Sequence, residues 1–353
     1  TGAPQETALN LAGTVLVTGG TGTLGALVAH HLVTAHGVRH LMLTGRRGAD
    51  APDAGRLATA LTELGARVTF SAGDVADPAH VARMLTDIPA GHPLTAVVHT
   101  AGVLDDATVD NLTAESLDAV LRPKVDAAWN LHRATSHLDL AAFVLYSSAA
   151  GTLGAPGQGN YAAANTFLDA LAQHRHALGL PATSLAWGLW AQTSGITGHL
   201  DPANLARIRR SGMIPLSSDE GLSLFDEALR TALPVLVPAR LDRRALRAQA
   251  AAGPLPGPLR GLVRVRRSAA APAAGDWAER LAGHGPAQQH QLLLQLVRAQ
   301  VAEVLGHPGT DRVDATQAFK DLGFDSLTAV ELRNRLNAHT GLSLPATLIF
   351  DHP

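Results

Sequence analysis

The chain has 353 residues, no cysteine and a formal net charge of −2. That length accommodates two or more domains with at least one sizeable core. The lack of cysteine excludes a disulfide framework and any thiolate metal site, and the charge balance provides no global attraction to nucleic acid or membrane. No apolar run reaches the length of a membrane span, the N-terminus lacks a signal-peptide pattern and the first residue is Thr1, so the expectation is a cytoplasmic piece of something longer.

The first part of the chain alternates short apolar runs with amphipathic stretches. The runs are Thr14–Val17, Leu41–Thr44, Val68–Ser71, Ala96–His99, Phe143–Tyr146, Ser184–Trp187 and Val235–Val237. Rich in Val and Leu and bounded by Gly, Asp and Pro, they predict a parallel sheet covered on both faces. Seven such strands fit a doubly wound, Rossmann-type α/β fold.

The first run leads straight into Thr18-Gly19-Gly20-Thr21-Gly22-Thr23-Leu24-Gly25, where Gly20, Gly22 and Gly25 form G-x-G-x-x-G. Leu24, Leu27, Val28 and Leu32 then supply an apolar helix face. Glycines permit a tight turn and close approach of backbone to pyrophosphate, and the helix start offers free N–H donors. Thr18, Gly20, Gly22, Thr23, Leu24 and Gly25 are therefore expected to bind a dinucleotide.

The second run ends in Leu43-Thr44-Gly45-Arg46-Arg47, without the carboxylate that bonds the ribose 2′-hydroxyl of NAD. A guanidinium fork suits a 2′-phosphate, which predicts NADPH with Arg46 as the main contact and Arg47 as a second. Asp74 and Val75 close the third run, where the adenine edge is expected. His99, Ala101 and Gly102 close the fourth, beside the expected nicotinamide ribose.

Only two lysines, Lys124 and Lys320, and two tyrosines, Tyr146 and Tyr161, occur in the chain. Lys124 falls on an apolar stripe made by Leu117, Val120, Leu121, Val125, Ala128 and Leu131, a costly place for a cation unless it is paired or used. Pro123 interrupts the helical pattern there. Tyr161 and Asn165 share a helix face, and Ser148 ends the fifth run. Hydride delivered to a ketone leaves an alkoxide that needs a proton. A tyrosine is a reluctant acid near neutrality unless an ammonium favours its tyrosinate, and a serine hydroxyl can hold the carbonyl in place. Tyr146, inside an apolar run, is expected to fill the core.

At these residues the chain resembles the short-chain dehydrogenase/reductase superfamily, and more closely the ketoreductases of modular polyketide synthases. HTAGVLDD, LRPKVDAAWNLH, YSSAAG, PGQGNYAAANTFLDALA and WGLW carry the likeness over about residues 13–245. Asn165 stands four residues after Tyr161, where ordinary superfamily members have lysine. Lys124 comes from upstream, which is the arrangement of polyketide ketoreductases. The resemblance implies Tyr161, Ser148, Lys124 and Asn165 as the catalytic set. Leu104-Asp105-Asp106 resembles the signature of B-type enzymes, which form a D-configured β-hydroxyl. Leu153 stands where A-type enzymes have tryptophan, and Ala163 where the epimer-specific B-type enzymes have proline, so the B1 group is implied. Ala191–Pro215 would be a substrate lid.

From Arg247 to Ala274 the sequence is rich in Ala, Pro, Gly and Arg, which predicts a linker carrying Arg260, Arg264, Arg266 and Arg267. Leu293, Leu296, Val297, Val301, Val304 and Leu305 then mark an amphipathic helix of a small, all-α second domain. Gly323-Phe324-Asp325-Ser326-Leu327, with LRNRL and FDHP after it, resembles the phosphopantetheine site of an acyl carrier protein, and implies 4'-phosphopantetheine on Ser326. The expected division is a leader (1–12), an NADP-binding ketoreductase domain (13–245), a linker (246–285) and a carrier domain that stops short of its last helix (286–353).

These resemblances imply reduction of a carrier-bound β-ketoacyl thioester. The partners implied are a ketosynthase, an acyltransferase and the ketoreductase structural subdomain of the same synthase. The alternative is a non-catalytic scaffold, which loss of Tyr161 or of the glycines would favour, and neither is lost. The chain has 17 histidines, among them His30-His31 and the pair His174 and His176, but none has a recognisable ligand spacing, so no metal is expected.

Overall fold

In the computed structural model, residues 13–192, 212–252, 255–263, 276–307, 309–345 and 347–352 are described. Each expected apolar run is a strand: β1 (Thr14–Thr18), β2 (His40–Gly45), β3 (Arg67–Ala72), β4 (Leu94–His99), β5 (Ala142–Ser148), β6 (Thr183–Trp187) and β7 (Val235–Leu236). They form one parallel sheet in the order β3-β2-β1-β4-β5-β6-β7.

Alternation along the strands divides the core into two layers. Val15 and Val17 of β1 face Val28 and Leu32 of α1 (Thr23–Thr34), Leu61 of α2 (Ala54–Glu63) and Phe225 of the helix Ser218–Leu229. Leu16 points the other way, toward Val81 and Met84 of α3 (Pro78–Thr86), Leu131 of α5 (Ala127–Thr135) and Leu168 of α7 (Gly159–Ala177). β1 is buried throughout because both faces are covered, whereas the edge strand β3 has no fully buried residue. Strand order reverses between β1 and β4, so the crevice beyond their C-terminal ends is the natural ligand position of this topology.

α4 (Ala114–Leu121) and α5 are joined by a π-helical turn, Arg122–Asp126. Pro123 lacks an N–H and its ring crowds the preceding turn, which a widened turn relieves. The inserted residue rotates the two helices' faces out of phase. Val120 before the turn and Ala128 and Leu131 after it are fully buried, whereas Leu117, expected on the same stripe, is 36% exposed in the first turns of α4.

Two compact units divide the chain: Thr1–His199 with Ile214–Arg240, and Leu200–Met213 with Leu241–Pro353. In the second, Val301 and Val304 of the helix Pro286–Leu305 pack with Val313, with Leu332 and Leu336 of the helix Ser326–Thr340, and with Ile349. The stretch expected as linker holds more structure than its composition announced. The helix Arg243–Ala252 runs across residue 245, and a second helix spans Asp276–Ala282. Alanine and arginine are strong helix formers even where no apolar periodicity marks them. The expected leader (1–12), Arg264, Arg266 and Arg267, and most of the expected lid (193–211) lie outside the described residues. Among the described residues, no helix is long and apolar enough to cross a membrane.

Candidate active site

The glycine loop bridges β1 and α1 at the strand-order reversal. Gly19 has φ +65°, and a Cβ on Gly25 would lie 2.2 Å from the Gly19 carbonyl oxygen, so neither position accepts a side chain without distortion. Gly22 is the N-cap of α1 and contributes no capping side chain, which leaves the first N–H groups of the helix to an anionic ligand. Thr23 opens α1, and Leu24 packs against the sheet. At the crevice floor the Thr18 hydroxyl and His99 Nδ1 lie 2.7 Å apart, tying the end of β1 to the end of β4. His99 is fully buried, and burial together with the nearby Lys124 ammonium lowers its pKa to about 3, so the imidazole is neutral.

Arg46 and Arg47 are exposed in the turn after β2. Asp74, after β3, is bonded to Arg122 at 3.0 Å and accepts from the Ala76 N–H at 2.9 Å. Burial would raise the Asp74 carboxyl, but the Ala76 N–H and the Arg122 and Arg46 guanidiniums hold it below its ordinary value. Val75 is buried beside it, and Asn130 donates to the Val75 and Ala76 carbonyls at 3.2 and 3.0 Å. Gly102 follows β4 and Ala101. A Cβ there would meet Lys124 Cε at 2.6 Å, so the loop backbone passes directly over the lysine.

Lys124 is 3% exposed, on the π-helical turn, and its Nζ donates to the Tyr146 carbonyl oxygen at 2.6 Å. The same Nζ lies 6.0 Å from the centroid of the Tyr161 ring. Burial lowers the lysine pKa to about 8, and the charge of Asp169 opposes that fall. Burial pushes the Tyr161 phenol up, opposed by the Asn165 and Ser148 side chains. Ser148 closes β5 as the N-cap of a short helix, α6 (Ala149–Leu153), with its hydroxyl oxygen 3.2 Å from the Ala150 N–H. Asn165 is fully buried one turn after Tyr161 and donates to the Tyr161 carbonyl at 2.8 Å. Lysine, tyrosine, serine and asparagine from three segments, the π-helical turn, the end of β5 and α7, thus converge at the ends of β4 and β5. Tyr146 fills the core against Trp187 and Phe225.

The loop bearing Leu104, Asp105 and Asp106 is held to the approach to Tyr161. Gln158 donates to Asp106 at 2.8 Å, Asn160 donates to the Asp105 carbonyl at 2.7 Å, and the Ala107 N–H bonds the Gly157 carbonyl at 2.9 Å. Leu104 packs on the small cluster that contains Tyr161, whereas Leu153, half-buried at the end of α6, does not join it.

In the second unit, Ser326 is the first residue of the helix Ser326–Thr340. The cap itself is Asp325, whose carboxylate accepts from the Thr328 N–H at 2.8 Å, so the N-cap role falls to the neighbouring residue.

The KR domain family matches residues 13–192, and the phosphopantetheine attachment site family matches residues 295–353. The chain belongs to the KR domain family. It is 59% identical over 354 residues to the polyketide synthase GfsB of Streptomyces halstedii, a match covering 98% of this chain and 6% of that protein. It is 54% identical over 349 residues to a phenolphthiocerol synthesis polyketide synthase type I of Mycobacterium tuberculosis, named as inactive, covering 97% of this chain and 22% of that one. A solved structure of A-type ketoreductases from a modular polyketide synthase matches with a TM-score of 0.65 and 44% identity, over 70% of this chain and 52% of that chain. The chain therefore spans a small part of the synthases it resembles and about half of the solved ketoreductase.

Two residues of this KR domain, Asp169 and Asn160, escaped sequence reasoning, and a third, Thr100, stood in the expected ribose stretch without a stated role. Asp169 continues the series Tyr161, Asn165 at the same four-residue step, accepts from Ser184 at 2.6 Å and opposes the deprotonation of Lys124. Burial raises its own carboxyl, against Ser184, Ser147 and Lys124. Asn160, 1% exposed, joins the Asp105 loop to the first turn of α7. Thr100 donates to the Thr18 carbonyl at 2.7 Å and helps fix the crevice floor. The i, i+4, i+8 spacing was a visible sign for Asp169, and the strand-end position a sign for Thr100, whereas nothing local marked Asn160.

Proposed function

We propose that this chain reduces a β-ketoacyl thioester to the D-configured β-hydroxyacyl thioester with NADPH, on a chain tethered through 4'-phosphopantetheine to Ser326 of a carrier region. The observation that carries the reading is the buried Lys124 held beside Tyr161, with Ser148 and Asn165 converging on the same strand ends.

The glycine cradle, the open start of α1 and the absence of a carboxylate after β2 fit a dinucleotide, with Arg46 and Arg47 on a 2′-phosphate. When bound, the nicotinamide supplies hydride to the carbonyl carbon. Ser148 holds the carbonyl oxygen by a hydrogen bond, and Tyr161 gives its phenolic proton to that oxygen as negative charge develops there. The Lys124 ammonium stabilises the resulting tyrosinate, and Asn165 keeps Tyr161 in register by bonding its carbonyl. The Tyr146 carbonyl fixes the lysine at the back of the site, so its charge costs little reorganisation when the proton moves.

The D configuration rests on the Leu104–Asp106 loop pinned against Gln158 and Asn160 and on Leu153 in place of tryptophan. The matching A-type structure makes this the part to test first. NADPH oxidation with a β-ketoacyl N-acetylcysteamine thioester, followed by chiral separation, is expected to give the D-hydroxyl. An L-hydroxyl product would overturn the stereochemical assignment and leave the reductase. Bound NADPH without turnover would favour the non-catalytic scaffold role.

A further inference from the structure

The N-terminal end of the sheet's strands carries a cluster that the reduction does not use. His31 lies in the last turn of α1, His36 in the connection to β2, and Asp226 on the helix Ser218–Leu229. Both imidazoles meet one carboxylate oxygen: His31 Nε2 is 2.8 Å and His36 Nε2 2.7 Å from Asp226 Oδ1. One potential ligand atom from each residue lies within 4.8 Å of the other two.

We propose that His31, His36 and Asp226 form a binding site for a divalent transition-metal ion of borderline softness, of which Zn²⁺ is the representative. Two neutral imidazole nitrogens and one carboxylate are the donor set this ion class prefers. Bonds of about 2.0–2.2 Å in a tetrahedral arrangement hold ligand atoms about 3.3 Å apart. The two nitrogen-to-oxygen separations therefore need to open by only about half an ångström to admit the ion, and the two nitrogens lie within 4.8 Å of each other. Water completes the tetrahedron, since the side chains are 14%, 22% and 21% exposed and remain within solvent reach.

The ligands are carried by firmly held elements. Leu32, next to His31, and Phe225, next to Asp226, are both fully buried, and the His31 ring stands edge-on to Phe225 at 6.3 Å. The His31 and His36 rings are 5.3 Å apart at 77°, which lets both Nε2 atoms face one point. His31 and His36 are five residues apart, a spacing too long for one helical face. They converge because α1 ends at Thr34 before His36 is reached. Asp226 arrives from 190 residues further along. The expectation of no metal rested on the want of a partner spacing, and the fold supplies that partner.

The position assigns the ion a structural task. β1 and β2 run parallel, and His36 precedes the start of β2, so the cluster sits at the strands' N-terminal edge, opposite Thr18, His99 and Ser148. An ion there would clamp α1 to the helix Ser218–Leu229 without touching the reacting groups. Binding to the folded state alone raises stability by mass action.

The test is equilibrium dialysis of the EDTA-stripped chain against Zn²⁺, with thermal melting, and Co²⁺ substitution read by ligand-field absorption. One tightly held ion per chain, a melting temperature that rises with Zn²⁺, and a tetrahedral Co²⁺ spectrum are expected. His36→Gln and Asp226→Asn are each expected to weaken binding at least tenfold, while His30→Gln, an exposed neighbour, leaves it unchanged. Thioester reduction is expected to proceed equally with and without the ion. Absence of a stoichiometric ion, an octahedral Co²⁺ spectrum, or binding that survives both substitutions would overturn the site.

Discussion

The two ends of this chain hold their polar chemistry in opposite ways. In the KR domain, Lys124, Tyr161, Asn165 and His99 are all at most 9% exposed, and burial moves Lys124, Tyr161 and His99 from their ordinary protonation behaviour. In the carrier region, Gly323 and Asp325 are exposed ahead of the helix that Ser326 opens, and the core beneath is mostly Val, Leu and Ala. A group that must trade a proton needs protein packed around it to set its pKa. A group that only carries a tether needs an exposed helix start and a stable helix behind it.

The comparison breaks most sharply at Ser326. Ser326→Ala is expected to abolish the phosphopantetheine mass increment after treatment with a phosphopantetheinyl transferase, while reduction of a free thioester mimic continues at the full rate. A loss of both would mean that the two ends are not chemically separable.

Lys124→Met should lower kcat by about 10²-fold or more, within the range for proton-transfer assistance. Cofactor affinity, read by fluorescence titration, should change far less, which would locate the effect in the chemical step.

Arg46→Ala should weaken NADPH binding by about tenfold, the worth of roughly one charge-assisted contact to phosphate. NADH binding should be unaffected, and equal losses for the two cofactors would contradict the 2′-phosphate role.

The smallest effect is expected from Asp169→Asn. The Lys124 ammonium, with its pKa lowered to about 8, is present below that pH and lost above it, so kcat should decline as pH rises through about 8. Asp169 favours the charged lysine. Its neutralisation should move that descending limb to lower pH, with little change in rate on the acid side.

Much of the KR domain was legible because its signals are local. Val and Leu runs marked every strand of the main sheet, the glycines marked the turn before α1, and a lysine on an apolar stripe marked Lys124. What escaped depends on pairing across the fold. The Tyr146 carbonyl that receives Lys124 and the carboxylate of Asp226 between two histidines are brought there by segments far apart in the chain. Leu117 sits on the expected stripe but near the start of α4, where it stays 36% exposed while Val120 one turn later is fully buried. The helix Arg243–Ala252 was hidden because intrinsic propensity, not periodicity, forms it.

Proton delivery by Tyr161 beside a buried ammonium is tested most directly by Tyr161→Phe. Single-turnover oxidation of NADPH on a β-ketoacyl thioester should slow by about 10³-fold, with cofactor affinity and melting temperature close to those of the unaltered chain. Turnover of Tyr161→Phe at the unaltered rate would contradict it.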